Sequence, residues 1–361
     1  MIKKIDWYII KKFLGSFALT LGLFTVIIIV FDVAEKVDDF VQKQVPFKEI
    51  INDYYLNFVP FLLNLFSPIF VFITVIFFTS KLASKSEIIA ILSSGASYFR
   101  LLRPYMITAI IIALFSFVLN AWIIPRADKV RVRFENKWIR ELQHESKRDI
   151  VQQLVPGVFM SLQSFNYIDS LGYNIQLDKI ENGSVKSRLF GNRVRWNPEV
   201  NKWRIYDYRI REFDKTGNIT SIKSGNSLDT VIPFNPDDFF RRQDDVQSFN
   251  LNELNKYIEL EKFRGTGQSF FYETEKQKRF VGPFSMLILT FIGVCVSSIK
   301  SRRGVGWNLA KGILLSFTYL FIIQFFTSMG SSGTMLPALA VWIPNVIFIF
   351  VGIWLYANTQ K

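Results

Sequence analysis

Six long apolar runs, three before and three after a polar insert, predict an α-helical membrane protein with six transmembrane helices (3+3) and an inserted all-β domain. Two further observations agree. Half of the 361 residues are apolar and 37 are Phe, a composition of membrane proteins. The insert alternates at period two between turn residues, a pattern that no spanning helix produces.

The first run, Phe13 to Phe31, follows Lys3, Lys4, Lys11 and Lys12. It is long enough to span and no small-residue cleavage site follows, so it reads as a retained helix rather than a signal peptide. The second run is Phe58–Thr79, where Pro60 and Pro68 are expected to kink the helix and Asn64 needs an internal partner. The third is Tyr105–Ile124, and a charged helical pattern from Arg126 to about Gln153 continues it out of the bilayer. Alternation then runs from Val155 to about Ile232, as in Tyr173-Asn174-Ile175-Gln176-Leu177 and Trp203-Arg204-Ile205-Tyr206. Turns are marked by Glu181-Asn182-Gly183, Asn197-Pro198 and Asp214-Lys215-Thr216-Gly217-Asn218. Such strands predict a sandwich or open roll of roughly 80–100 residues. Leu251, Leu254, Tyr257, Ile258 and Glu261 give a helical return, and Glu275–Arg279 lead back to the membrane. The last runs are Phe280–Ile299, Gly312–Met329 and Leu336–Tyr356. The expected division is therefore 1–125 for the first three spans, 126–250 for the helical extension and β domain, 251–279 for the return, and 280–361 for the last three spans.

Short-loop charge sets the orientation. The N-terminal tail, the Lys81–Arg103 loop and Lys300-Ser301-Arg302-Arg303 are basic. The loop after the first span, with Asp32, Glu35, Asp38, Asp39, Glu49 and Asp53, is acidic on balance. Both termini and the Lys81 loop are thus expected in the cytoplasm and the insert outside. Trp7, Tyr8, Trp307, Trp354 and Tyr356 would form the inner aromatic belt and Trp122 part of the outer one.

The Lys81–Pro104 segment is too polar to span. Ser84-Lys85-Ser86-Glu87 matches a capping box, Ile88, Ile89, Ile91 and Leu92 follow at helical spacing, and Gly95 sits where a left-handed cap is expected. This is either a solvated helix on the lipid surface or a docking helix for a partner that drives the membrane part.

Several function classes are excluded. The net charge of +13 accompanies no nucleic-acid module. With one cysteine, Cys295, and one histidine, His144, neither a disulfide framework nor a metal site is expected, and no cofactor is implied. No Walker motif occurs, so any use of ATP must reside on another chain. Asp237-Asp238 and Asp244-Asp245 read as a solvated linker rather than a catalytic pair. The six runs contain no Asp, Glu, Lys, Arg or His. Their polar residues, Asn64, Ser116, Asn120, Gln324 and Asn345, read as helix–helix hydrogen bonds. Cargo crossing such spans must itself be largely apolar, as a lipid is. Beyond the third span, Arg126, Lys129 and Arg133 share one helix face and with Lys36 suit a cradle for anionic headgroups. The alternative is a solvated helix neutralised by Asp128, Glu135 and Glu141.

Certain stretches resemble a known family. They are Ile5-Asp6-Trp7-Tyr8-Ile9-Ile10-Lys11-Lys12-Phe13, Ser84–Gly95 (SKSEIIAILSSG), Leu119–Arg126 (LNAWIIPR), Arg279–Ile288 (RFVGPFSMLI) and Leu336–Asn345 (LPALAVWIPN). With the three-plus-three layout, they resemble the lipopolysaccharide-export permeases, LptF/LptG, of Gram-negative inner membranes. The resemblance implies a non-enzymatic permease half paired with a sister permease subunit on a cytoplasmic ABC ATPase homodimer. Together the permeases would take lipopolysaccharide into an apolar cavity and pass it through periplasmic jellyroll-like β domains to a periplasmic bridge protein. The segment at about 84–95 would be the coupling helix, with Lys85, Glu87, Ile88, Ile91, Leu92 and Gly95 as its coupling residues. Glu87 would contact the ATPase while Ile88, Ile91 and Leu92 fill its groove. Rival readings are an ABC-type permease for another lipid or lipoprotein, and a membrane-anchored periplasmic sensor.

Overall fold

In the computed structural model, residues 3–139, 146–166, 169–198, 200–232, 243–299 and 305–359 are described. They divide into two compact units. A helical unit comprises Met1–Ile139, Gln247–Leu254 and Phe270–Lys361, and a β unit comprises Arg140–Val246 and Asn255–Ser269.

Helix α1 (Lys4–Gln42) runs well past the first apolar run. Asp32, Glu35, Asp38 and Asp39 therefore stand on a helix and not in an acidic loop, which corrects the sequence reading. No Pro or Gly interrupts this stretch before Pro46, so the backbone has no reason to stop where the apolar run does. Helix α2 (Phe47–Ser84) contains Pro60 and Pro68 without ending at either. It opens with a π turn at Ile50–Tyr55, marked by the Leu56 N–H donating to the Ile51 carbonyl. A short helix α3 (Glu87–Ser93) follows. Helix α4 (Tyr98–Trp138) starts at Ser97, whose hydroxyl caps the Arg100 N–H, and carries a second π turn at Leu119–Ile123. That turn lies just ahead of Pro125, whose ring would crowd the Ala121 carbonyl of a regular α-helix and has no N–H to offer it. The wider turn relieves the clash. The helical extension ends at Trp138, not near Gln153, because Ser146–Val155 is already a strand.

Among its described residues the β unit holds six antiparallel strands in the order β1 (Ser146–Val155), β2 (Val158–Asn166), β3 (Leu171–Glu181), β4 (Ser184–Asn197), β5 (Lys202–Phe213) and β6 (Ile219–Thr230). Consecutive strands pair, so the sheet is a meander: the open roll, with β1 and β6 at its edges, rather than two packed sheets. Bulges at Gln153/Val155, Lys179/Ile180 and Glu212/Phe213 add local twist. Asn182 and Gly183 both have positive φ, as a tight two-residue hairpin requires. Alternate residues of one face, among them Met160, Leu162, Ile175, Val194, Trp203 and Ile205, form the core. Trp203 is fully buried and meets Phe165 edge-on at 5.8 Å.

The chain returns through helix α5 (Leu251–Arg264) and then α6 (Ser269–Ser297), α7 (Val305–Ser331) and α8 (Pro337–Asn358). Among the described residues, six helices are long and apolar enough to cross a membrane. Hydrogen bonds between buried side chains tie them together. Ser116 of α4 donates to Asn64 of α2 at 2.6 Å. Ser285 of α6 and Tyr319 of α7 both donate to Asn345 of α8, at 3.0 and 3.2 Å. Asn64, Ser116 and Asn345, three of the five span residues singled out from the sequence, thus act as helix–helix joints, with Ser285 and Tyr319 as partners.

The helical unit has two recognisable ends. At one, the start of α1, all of α3, the start of α4 and the ends of α6 and α8 share a core that includes Ile9, Phe13, Leu82, Ile88, Tyr98 and Cys295. At the other, Phe40, Val45, Tyr54 and Phe134 pack together and Trp138 donates to Glu49. The chain leaves for the insert from this second end. Replacing Trp203→Ala should destabilise the β unit by about 3–5 kcal/mol. Limited proteolysis of the detergent-purified protein should then cleave within 146–230 well before the helices, and an unchanged cleavage rate would contradict the assigned core.

Candidate functional site: coupling helix, cavity and cationic rim

Helix α3 does not start at a capping box. Helix α2 continues through Ser84, whose hydroxyl donates back to the Lys81 carbonyl at 2.9 Å. The break falls at Ser86, in the left-handed region at φ 59°, and no side chain caps α3. The Ser-x-x-Glu pattern is present, but a helix already in progress takes Ser84 first. Gly95 has φ +87°, the left-handed conformation expected of it.

Ile88 also differs from expectation. It is 1% exposed, in the core shared with Ile9 and Phe13, so it holds α3 from beneath and offers nothing to a partner's groove. Ile91 and Leu92 are half-buried against the same core. The apolar side chain that faces outward is Ile89, 47% exposed, flanked by exposed Lys85, Ala90, Ser93 and Gly95. Glu87 accepts from the Tyr8 hydroxyl of α1 at 3.0 Å. Close by, Arg100 pairs with the buried Asp6 at 2.6 Å.

A cavity of about 320 Å³ lies between α2, α4, α6 and α7. Phe61, Leu65, Ile69, Leu320 and Ile323 supply apolar walls, and Asn120 and Gln324, the two span amides not used as joints above, line it with Thr327. Its charged lining, Glu275, Lys278 and Arg279, gathers near the insert end, where Gln247 also contributes. There Lys278 pairs with Glu275 at 2.6 Å and Arg279 donates to the Phe249 carbonyl at 2.7 Å. The chamber is thus uncharged along its length and polar at one mouth.

The outer cations separate into two groups. Lys36 pairs with Asp32 at 2.6 Å, bonds the Tyr54 hydroxyl and lies over the Tyr54 and Phe58 rings. Tyr54 and Tyr55 both donate to Asp32, and buried Arg131 pairs with Asp128 and Glu135. This is an internally neutralised cluster that locks α1 and α2 in place. Lys36 does not join the helix face of Arg126, Lys129 and Arg133. On that face Lys129 pairs with Glu253 at 2.7 Å. Partial burial of Glu253 disfavours its charge, but Lys129 and the Asn250 N–H outweigh this and hold the carboxyl below its ordinary range. Arg126 and Arg133 are exposed and make no ion pair among the described residues. Arg126 and Lys129 line a second cleft, of about 370 Å³, with Trp122, Pro125 and Asn252.

Of the other sequence candidates, Glu141, His144, Asp237-Asp238 and Lys300–Arg303 lie outside the described residues. Asp6, Tyr8, Arg100 and Ile89 did not stand out as site residues. The one signal available was an acidic residue, Asp6, in the first turn of a helix.

Residues 7–358 match the family described as lipopolysaccharide export system permease LptF/LptG. The chain is similar to the lipopolysaccharide export system permease protein LptG of Escherichia coli strain K12 and to that of E. coli O6:H1. Each is 20% identical over 320 residues, covering 84% of this chain and 84% of the relative. With the family match reaching from the first turns of α1 to the last of α8, the chain belongs to the LptF/LptG family of lipopolysaccharide export permeases.

Proposed function

We propose that this permease draws lipopolysaccharide out of the inner membrane into its cavity and hands it through the β unit to a periplasmic bridge protein. A sister permease completes the chamber, and a separate cytoplasmic ABC ATPase homodimer supplies the work through α3. Both termini and α3 then face the cytoplasm, and the β unit faces the periplasm. The observation that carries this reading is the charge distribution of the cavity. A lipid with acyl chains and a phosphorylated headgroup matches a chamber that is uncharged within and polar at its mouth. Each methylene kept from water is worth about 0.8 kcal/mol. An ion would instead lose its hydration with no charged group along the chamber to offset it.

ATP-driven closure of the motor would bring the coupling helices together and narrow the chamber, so the lipid is expelled toward the bridge. The cycle requires only that nucleotide and lipid favour different states of the same helices. The outward-facing side of α3, with Ile89 at its centre and Lys85 and Glu87 beside it, is the surface that seats on the motor. At the rim, Arg126 and Arg133 are the cations available to phosphate, since Lys36 and Lys129 already have carboxylate partners.

The direct test is reconstitution of the permease with its sister subunit and ATPase in lipopolysaccharide-containing vesicles. ATP-dependent transfer to an added bridge protein is expected, and its absence would refute the reading. Two variants sharpen it. Ile89→Asp should strip the ATPase from the purified complex while leaving the permease folded, whereas Ile88→Ala should cost about 2–5 kcal/mol of stability through a core cavity. Pull-down and thermal melting distinguish the two, and retention of the ATPase by Ile89→Asp would exclude Ile89 from the interface. The double reversal Arg126→Glu, Arg133→Glu should reduce lipopolysaccharide stimulation of ATP hydrolysis about ten-fold or more. Undiminished stimulation would remove the rim from headgroup binding.

A further inference from the structure

Helix α3 is fastened to the first span by contacts that are remote in sequence. Tyr8 donates to Glu87 Oε2 at 3.0 Å, and Arg100, just past α3, pairs with Asp6 at 2.6 Å. Asp6 Oδ2 also accepts the Lys3 N–H at 2.7 Å, so one carboxylate both opens α1 and receives the guanidinium. Its side chain is 6% exposed, and removing Arg100 would leave a buried charge without its counter-ion. Between these polar contacts, Ile88 lies in the same buried cluster as Ile9 and Phe13. The start and the underside of α3 are thus held to the first three turns of α1, and the start of α4, the helix that follows α3, is held there by the Asp6–Arg100 pair.

The rest of α1 is built differently. It is an unbroken helix of 39 residues, about 58 Å long at 1.5 Å per residue. Only 11% of its apolar stretch is buried within the chain, the lowest share among the six spans. It is gripped again at its far end by the Asp32, Lys36 and Tyr54 cluster. A stiff rod held at both ends and sparsely packed between them transmits displacement along its length.

We propose that Asp6–Arg100 and Tyr8–Glu87 form a clamp that makes α1 the span driven by α3, with Asp6 and Tyr8 as positioning residues for energy coupling. Glu87 Oε2 holds Tyr8 and its Oε1 makes no hydrogen bond among the described residues, so force on Glu87 reaches α1 through Tyr8 and through the Ile88 packing beside it. The inference rests on the ATPase-coupled reading given above.

The test uses the reconstituted complex with sister subunit, ATPase and lipopolysaccharide, and reads lipid released per ATP hydrolysed. In Tyr8→Phe and Asp6→Asn this ratio should fall about five-fold or more, with ATP hydrolysis and complex assembly retained. The swap Asp6→Arg with Arg100→Asp should recover it in part. Tyr8→Phe removes one hydroxyl from a partly exposed ring and keeps the test open if Asp6→Asn fails to fold. A second readout separates the clamp from general support. Spin labels at Leu23→Cys on α1 and Ile353→Cys on α8 should change separation on nucleotide binding in the parent protein and not in Tyr8→Phe. An unchanged transfer ratio in Tyr8→Phe, or a nucleotide-driven α1 displacement that survives it, overturns the clamp. A parent complex that hydrolyses ATP without releasing lipid refutes the underlying reading and the clamp with it.

Discussion

Hydrocarbon offers no hydrogen bonds, so a chain that crosses it must satisfy its polar groups internally and keep its charges near the ends. The arrangement of the helical unit follows from that constraint. Asn64 and Ser116 answer each other, as do Ser285, Tyr319 and Asn345, and each set joins neighbouring helices. Ionisable residues collect at the two ends of the bundle. Asp6 with Arg100 stands at one, and Asp32 with Lys36 and Asp128 with Arg131 and Glu135 at the other. The same separation leaves the cavity uncharged along its length.

Charge of one sign therefore has two meanings in this chain. Lys36 and Arg131 are structural cations, surrounded by carboxylates and aromatic rings, and they fix where the outer ends of α1 and α4 can go. Arg126 and Arg133 are exposed cations on the same helix as Arg131, offset around its axis. Composition cannot separate the two kinds. The distinction depends on which side of α4 meets Asp32, Tyr54 and Phe58.

What was legible in the sequence, and what was not, follows the same physics. The six spans and their three-plus-three grouping could be read because burial in lipid requires long apolar runs. Strand alternation and the Asn182-Gly183 turn were equally plain. Helix ends were not, since α1 and α4 continue into water where nothing in the pattern marks a stop. Around α3, Ile88, Ile89, Ile91 and Leu92 are too nearly continuous for periodicity to choose an inward face, so the buried and the outward isoleucine were exchanged. The Ser84 capping box failed because α2 reaches it first. Lys36 looked available because Tyr54 and Phe58, which enclose it, lie on another helix, although Asp32 stands one turn before it on its own.

The meander has a consequence for how the protein is made. Among the described strands, each after β1 pairs with the one translated just before it, so none must wait for a distant segment to find its partner. Such local pairing lowers the entropy lost in closing each contact and suits assembly from the N-terminal side during synthesis. The insert can form its hairpins in order before α6, α7 and α8 have been synthesised. The second half of the bundle is then added to a chain whose β strands have already paired.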